Sequence, residues 1–184
     1  VYLENYTSKL DIDYSKLDSF YGKKVELVER AFVEDGKEMI EKAKESNVAL
    51  LIIGDVFSAT THISLFREAR EAGVDVEVVN NASVLNAVGI TGLELYKFGK
   101  VASIPFLNAD VTVPYDVLMS NGKLHTLFLL DLTPKDGKFM ECKEAVDYLV
   151  KLGLDKDRKV VVCAKLGSPE FVVKYLKASE VKEL

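Results

Sequence analysis

Six consecutive apolar residues, Val48-Ala49-Leu50-Leu51-Ile52-Ile53, run without alternation into Gly54. An unbroken run of this length predicts a strand buried on both faces, the habit of a central strand in a parallel sheet. A sheet covered on both faces needs helices as its covers, so the run commits the chain to α/β layering. The flanking sequence supplies them. Glu34–Ser46 reads as a helix, with Met39, Ile40 and Ala43 on one stripe and lysines and glutamates over the rest. Ile63–Ala72 reads as a second amphipathic helix stopped by Gly73. Shorter strands are expected at Val25–Val28 and Val74–Val79, and Val1-Tyr2-Leu3 reads as the tail of another.

The second half repeats the style without repeating the sequence. Ser83–Leu95 reads as a helix loosened by Gly89 and Gly92. Strands are expected at Val101–Ile104, Thr126–Leu130 and Lys159–Ala164, and helices at Tyr115–Ser120 and Lys143–Leu152. A proline-punctuated loop joins Pro105 to Pro114. Phe171–Lys177 suits a strand or a helix, with the strand favoured. A boundary near Lys97–Lys100 divides the 184 residues into 1–97 and 98–184, two small α/β units with a cleft between them. No self-similarity at solenoid periods is present.

Composition narrows the function classes. With 48% hydrophobic and 29% charged residues the chain has material for a core, so disorder is excluded. The net charge of −5 and the lack of any lysine–arginine stripe argue against a nucleic-acid partner. An acidic enzyme still docks on basic proteins, so a protein substrate stays open. Cys142 and Cys163 lie far apart with no metal-ligand spacing, which suits a reducing, cytoplasmic setting; no metal is expected. No apolar run approaches the ~18–20 residues that span a bilayer. The chain opens on Val1 inside what reads as a strand, so the natural N-terminus is expected upstream.

Ligands of α/β proteins sit beyond the carboxyl ends of the strands. Here the first such edge reads Gly54-Asp55-Val56-Phe57-Ser58-Ala59-Thr60-Thr61-His62. Gly54 permits a sharp turn or a close approach, Asp55 offers an acceptor, and Ser58, Thr60 and Thr61 offer hydroxyls. The stretch fits either a binding loop or a polar turn that caps the next helix. The second edge, Asn81-Ala82-Ser83-Val84-Leu85-Asn86-Ala87-Val88-Gly89-Ile90-Thr91-Gly92, follows the next strand in the same way. Two successive strand ends of small and polar residues should lie side by side and make one pocket. There is no P-loop and no Gly-x-Gly-x-x-Gly, so phosphate and dinucleotide readings lose their support.

At these residues the chain resembles the diphthine synthase family. Gly54–His62 is similar to the family's Gly-Asp-Pro-Leu-x-Ala-Thr-Thr-His signature. Ala87-Val88-Gly89-Ile90-Thr91-Gly92 and Tyr96-Lys97-Phe98-Gly99-Lys100 also match. So do Glu4-Asn5-Tyr6-Thr7-Ser8, the segment Leu124–Asp131, and the Gly167-Ser168 step. The resemblance covers essentially the whole chain. It implies a tetrapyrrole methylase-like homodimer of two small α/β domains, with an N-terminal parallel sheet, a C-terminal mixed sheet and the cofactor in the cleft between domains. It implies S-adenosylmethionine as cofactor, leaving S-adenosylhomocysteine, and contacts from Asp55, Ser58, Ser83, Val84, Leu130 and Leu166. Val84, Leu130 and Leu166 have no polar side chain, so their share would come from the backbone. Three departures stand out: Val56 replaces the family's proline, a first strand with its glycine-rich loop is expected ahead of Val1, and a further segment is expected after Leu184.

The implied reaction is N-methylation of the modified histidine, the diphthamide precursor, on translation elongation factor 2. Displacement at a sulfonium needs alignment rather than a catalytic triad or a metal. The attacking amine must shed a proton, and His62 is a candidate acceptor or else a hydrogen-bonded helix-start residue. His125, opening a strand, reads as structural. The Tyr96–Lys100 cluster reads as a domain connection or substrate rim, and Lys135–Lys138 as a solvated turn. The alternatives are a precorrin-type small-molecule methyltransferase and a non-catalytic binding module of the same fold.

Overall fold

The structure is a computed structural model that describes residues 1–9, 12–107 and 109–182. It divides into two compact units, Val1–Ser83 with Pro134–Asp136, and Val84–Thr133 with Gly137–Leu184.

In the first unit, three parallel strands stand in the order β2-β1-β3, with β1 at Tyr2–Glu4, β2 at Glu26–Val28 and β3 at Leu50–Leu51. Tyr2, Leu3 and Glu4 face Glu26, Leu27 and Val28 on one side, and Tyr2 and Leu3 face Leu50 and Leu51 on the other. The expected parallel sheet is present, but its central strand is not the apolar run. All three residues of β1 are buried, whereas Leu50 to Ile53 are half-buried and only two of them join the ladder. Burial follows position in the sheet, and among the described residues β3 is paired on one side only.

Helix α1 spans Leu17–Tyr21. The single helix expected over Glu34–Ser46 is two: α2, Arg30–Asp35, and α3, Lys37–Glu45. Gly36 separates them at φ +60°, in the left-handed region that only glycine enters freely, and a Cβ there would lie 2.6 Å from Leu65 Cδ1. Helix α4 spans Ile63–Glu71. The core of the unit is Tyr2, Val28, Val33 and Met39, with Phe32, Val48, Leu50 and Leu65 packed around them.

The strand expected at Val74–Val79 is absent as a ladder. The segment carries a strand's side-chain alternation, with Val74, Val76 and Val78 half-buried and Asp75, Glu77 and Val79 exposed, but no described backbone pairs with it. Alternation belongs to any extended chain with one covered face, whereas a ladder also needs a neighbouring edge.

The second unit holds α5 (Val84–Ala87), α6 (Val113–Asn121) and α7 (Cys142–Lys151). Its strands form three separate pairs: parallel β4 (Ala102–Ile104) with β5 (Phe128–Leu130), antiparallel β6 (Leu132–Thr133) with β7 (Lys138–Phe139), and antiparallel β8 (Lys159–Ala164) with β9 (Val172–Lys177). The expected mixture of directions is there, distributed over two-stranded ladders. The helix expected over Ser83–Leu95 is four residues of α5 followed by 3-10 turns at Val88–Thr91 and Leu95–Lys97, with Gly92 left-handed between them.

Residues 84–97 belong to this unit, so the division falls at Ser83–Val84 instead of near Lys97–Lys100. Tyr175 Oη donates to the Thr91 carbonyl, and His125 N donates to Lys97 O at 2.9 Å, tying the segment to β9 and to the approach to β5. Ile104, Met140, Ala145, Tyr148 and Leu149 form one core, and Val146, Val162, Ala178 and Val181 form another on the neighbouring face of α7.

Candidate functional site

The chain leaves β3 through Gly54, whose φ of +109° no other residue adopts without strain. Asp55 then folds the loop onto its own carboxylate. Oδ1 accepts the backbone N–H of Phe57 at 3.1 Å, that of Ser58 at 3.0 Å and the Ser58 hydroxyl at 2.8 Å. Short-range capture of this kind is what aspartate does at turns. Oδ2 reaches across to accept the N–H of Asn81 at 3.2 Å. The Ser58 hydroxyl bond first, and the Asn81 N–H next, hold the Asp55 carboxyl below its ordinary range. The loop therefore carries a fixed negative charge.

That one carboxylate joins the two turns singled out in the sequence. Ala82 O also lies against Gly54, 3.6 Å from where a Cβ would stand. Asp55, Ser58 and the Asn81–Ser83 stretch thus form one cluster, with Ser83 half-buried. The partner edge at Asn81 is an extended segment rather than a laddered strand, but the adjacency holds.

Past Ala59, itself left-handed at φ +61°, Thr60 Oγ1 donates back to Val56 O. His62 sits at the mouth of α4 and is 4% exposed. Its Nδ1 lies 3.2 Å from Val56 O and its Nε2 3.2 Å from Tyr6 Oη. Both ring nitrogens are engaged, which favours the helix-start role over that of proton acceptor.

Glu4 and Tyr6 are residues whose roles the sequence did not disclose. Glu4 ends β1 with no exposure at all, and it accepts the N–H of Tyr6 at 3.3 Å, the N–H of Thr7 at 3.2 Å and the Thr7 hydroxyl. Burial above all, then the Glu4 and Glu34 carboxylates, push the Tyr6 phenol up to about 12. A carboxylate at the end of an otherwise apolar strand was the available signal.

The second unit repeats the device. Asp131, directly after β5, accepts the N–H of Phe106 at 3.0 Å through Oδ2, joining the loops that leave the parallel strands β4 and β5. Leu130 is the last residue of β5 and is half-buried. Leu166 lies in the turn between β8 and β9, flanked by left-handed Lys165 and Gly167 and closed by Ser168 N on Lys165 O at 3.1 Å. Val84 opens α5 and is exposed. His125 joins Phe98 through an isolated parallel bridge, with its ring edge-on at 5.3 Å. Among the described residues no cluster of histidine, cysteine, aspartate or glutamate could hold a metal ion, and no helix is long and apolar enough to cross a membrane.

The profile of the tetrapyrrole (corrin/porphyrin) methylases matches residues 3–182. The diphthine synthase of Methanococcus aeolicus is 37% identical over 196 residues, which cover all of this chain and 76% of that protein. The diphthine methyl ester synthase of Candida glabrata is 39% identical over 213 residues, covering all of this chain and 70% of that protein. A crystal structure of diphthine synthase superimposes with a TM-score of 0.89 at 38% identity, over 97% of this chain and 71% of that one. The chain accordingly belongs to the tetrapyrrole methylase family and, within it, to the diphthine synthase group of methyltransferases.

Proposed function

We propose that this chain transfers methyl groups from S-adenosylmethionine to the diphthamide precursor, the modified histidine of translation elongation factor 2. The observation that carries the reading is the Asp55 carboxylate, which unites the Gly54–Ser58 loop and the Asn81–Ser83 turn in one anionic, hydroxyl-bearing cluster. The donor set suits this cofactor, which presents an ammonium group, a sulfonium and ribose hydroxyls to whatever holds it. Asp55, Ser58 and Ser83 are proposed as contacts on that ground. Val84, Leu130 and Leu166 are carried by the match to the family, through their backbone groups.

When bound, the cofactor supplies an electrophilic methyl group whose leaving thioether is neutral. The protein's task is then to align a neutral amine and exclude competing water. Asp55 and Ser58 would help hold the donor in place through the fixed carboxylate and the hydroxyl, without taking the proton. The reading also takes the enzyme to work in the cytoplasm as a homodimer, which light scattering of the full chain checks.

The relatives' names divide between diphthine synthase and diphthine methyl ester synthase. A nitrogen methyl survives mild base, whereas a carboxylate methyl ester is hydrolysed. Mass spectrometry of elongation factor 2 after incubation with enzyme and cofactor, before and after mild base, tests the activity and separates the two products. No mass gain on the factor, with cofactor bound, would remove the substrate assignment.

A further inference from the structure

We propose that Tyr6 and His62 are positioning residues for the methyl-donor loop, which together lock the Val56–Phe57 peptide on which the Asp55–Ser58 cluster is built. The inference rests on the reading of that loop as cofactor-holding.

Three bonds converge on this one peptide. Its carbonyl, Val56 O, takes the Thr60 hydroxyl and His62 Nδ1 at 3.2 Å; its N–H, from Phe57, goes to Asp55 Oδ1 at 3.1 Å. A flip of the peptide would break all three and remove one of the donors that shape the Asp55 carboxylate. Valine has no ring to fix its φ, so hydrogen bonds must set the orientation.

The proton on the imidazole follows from its neighbours. A carbonyl oxygen only accepts, so Nδ1 carries the hydrogen. In the neutral ring Nε2 is then the acceptor, and Tyr6 Oη, 3.2 Å away, is its donor. Tyr6 is fit for that role because burial keeps its phenol protonated, up to about 12. It is held in place from β1, since the buried Glu4 carboxylate gathers the N–H groups of Tyr6 and Thr7 into one turn. Strand β1 pairs with β3, whose end leads into the loop, through Leu3 and Leu51. The order of command thus runs Glu4, Tyr6, His62, Val56 carbonyl, Asp55.

A histidine that merely fills the core would tolerate or suffer any polar replacement alike. Asparagine and glutamine separate the two roles by geometry. The amide of His62→Asn stands where Nδ1 stood and keeps a donor for Val56 O while losing Tyr6. That of His62→Gln reaches the Nε2 position and keeps Tyr6 while losing Val56 O.

Calorimetry of S-adenosylhomocysteine binding to the full chain should find His62→Asn within about threefold of wild type and His62→Gln weakened about tenfold, the effect of one net hydrogen bond. Equal affinities for the two variants, with Asp55→Ala weakened, overturn the proposal and leave the cofactor reading standing. An absence of wild-type binding, or an Asp55→Ala affinity equal to wild type, removes the cofactor reading and this proposal with it. Nitrogen-15 NMR of the imidazoles gives a measurement that needs no variant at 62. With His125→Gln used to assign the signals, His62 should be the Nδ1–H tautomer, and Tyr6→Phe should shift its Nε2 resonance, through loss of that hydrogen bond, while leaving the tautomer in place. A wild-type Nε2–H tautomer refutes the arrangement.

Discussion

Replacing Gly99 by alanine places a methyl group 2.5 Å from Asn121 Cγ, closer still to its Oδ1, and 3.0 Å from its Nδ2. Gly99 does not lie in the left-handed region, so the substitution carries no backbone penalty and its whole effect is steric. Asn121 is buried at the end of α6 and cannot simply swing into solvent. Its Oδ1 accepts Lys100 N at 2.9 Å, and its Nδ2 donates to Lys100 O at 2.9 Å and to Thr126 Oγ1 at 2.8 Å. These bonds fix the chain as it enters β4, whose far end begins the Asp131–Phe106 junction. Making room for the methyl moves the amide by about 1 Å, which breaks all three.

At ~1 kcal/mol net for each bond the loss is about 3 kcal/mol. For a chain of this length that lowers the melting temperature by ~6–12 °C. Asn121→Ala should cost about the same, because it removes the same bonds. The double variant is the decisive assay: with the amide gone the methyl has space, so Gly99→Ala in the Asn121→Ala background should add less than ~1 kcal/mol, a coupling of about 2–3 kcal/mol. Thermal unfolding of the four proteins measures the cycle. Additive losses, or a Gly99→Ala protein melting within ~2 °C of wild type, would refute the steric account.

Ile104, fully buried among Met140, Tyr148 and Leu149, should lose ~3–4 kcal/mol on truncation in Ile104→Ala, read as a lower midpoint in urea unfolding. Asp55, held below its ordinary value, stabilises the folded loop fully above the unfolded value of ~3.9, and that stabilisation is lost as pH falls through the lower folded value. Cofactor affinity should therefore hold from neutral pH down to the ordinary carboxylate range, and an affinity already collapsing at pH 6 contradicts the assignment. Tyr6 has the opposite sign: its raised folded pKa of about 12 against 10.0 keeps its contribution whole below pH 10 and loses it as pH rises from 10 toward 12. The phenolate absorbance difference between wild type and Tyr6→Phe should titrate near 12, and a midpoint near 10 would show that the phenol is not held by the fold.

Much of the site was legible because its chemistry is local. Asp55 captures N–H groups two and three residues away, so Gly54-Asp55 and the hydroxyls after it could be read from spacing alone. The parallel character of the first sheet, the strand at β8 and helices α4 and α7 were equally readable from apolar runs and periodicity. What failed did so where a neighbour decides. Val74–Val79 has the pattern of a strand but pairs with no described backbone. The apolar run is less buried than β1, a three-residue strand ended by a glutamate that reads in the sequence only as the tail of a strand.

Alternation, apolar runs, glycines and turn residues by themselves determined that this chain builds α/β units and marked the turns after Ile53 and at Asn81 as its candidate functional edge, because each of those signals acts over a few residues. Only the tertiary structure decided that Glu4 is buried and satisfied, that Tyr6 and His62 meet across 56 positions of sequence, and that Asn121 forbids a side chain at Gly99. Those outcomes depend on which backbone donors a distant segment delivers to a side chain once water has been excluded, and spacing along the chain carries no record of that.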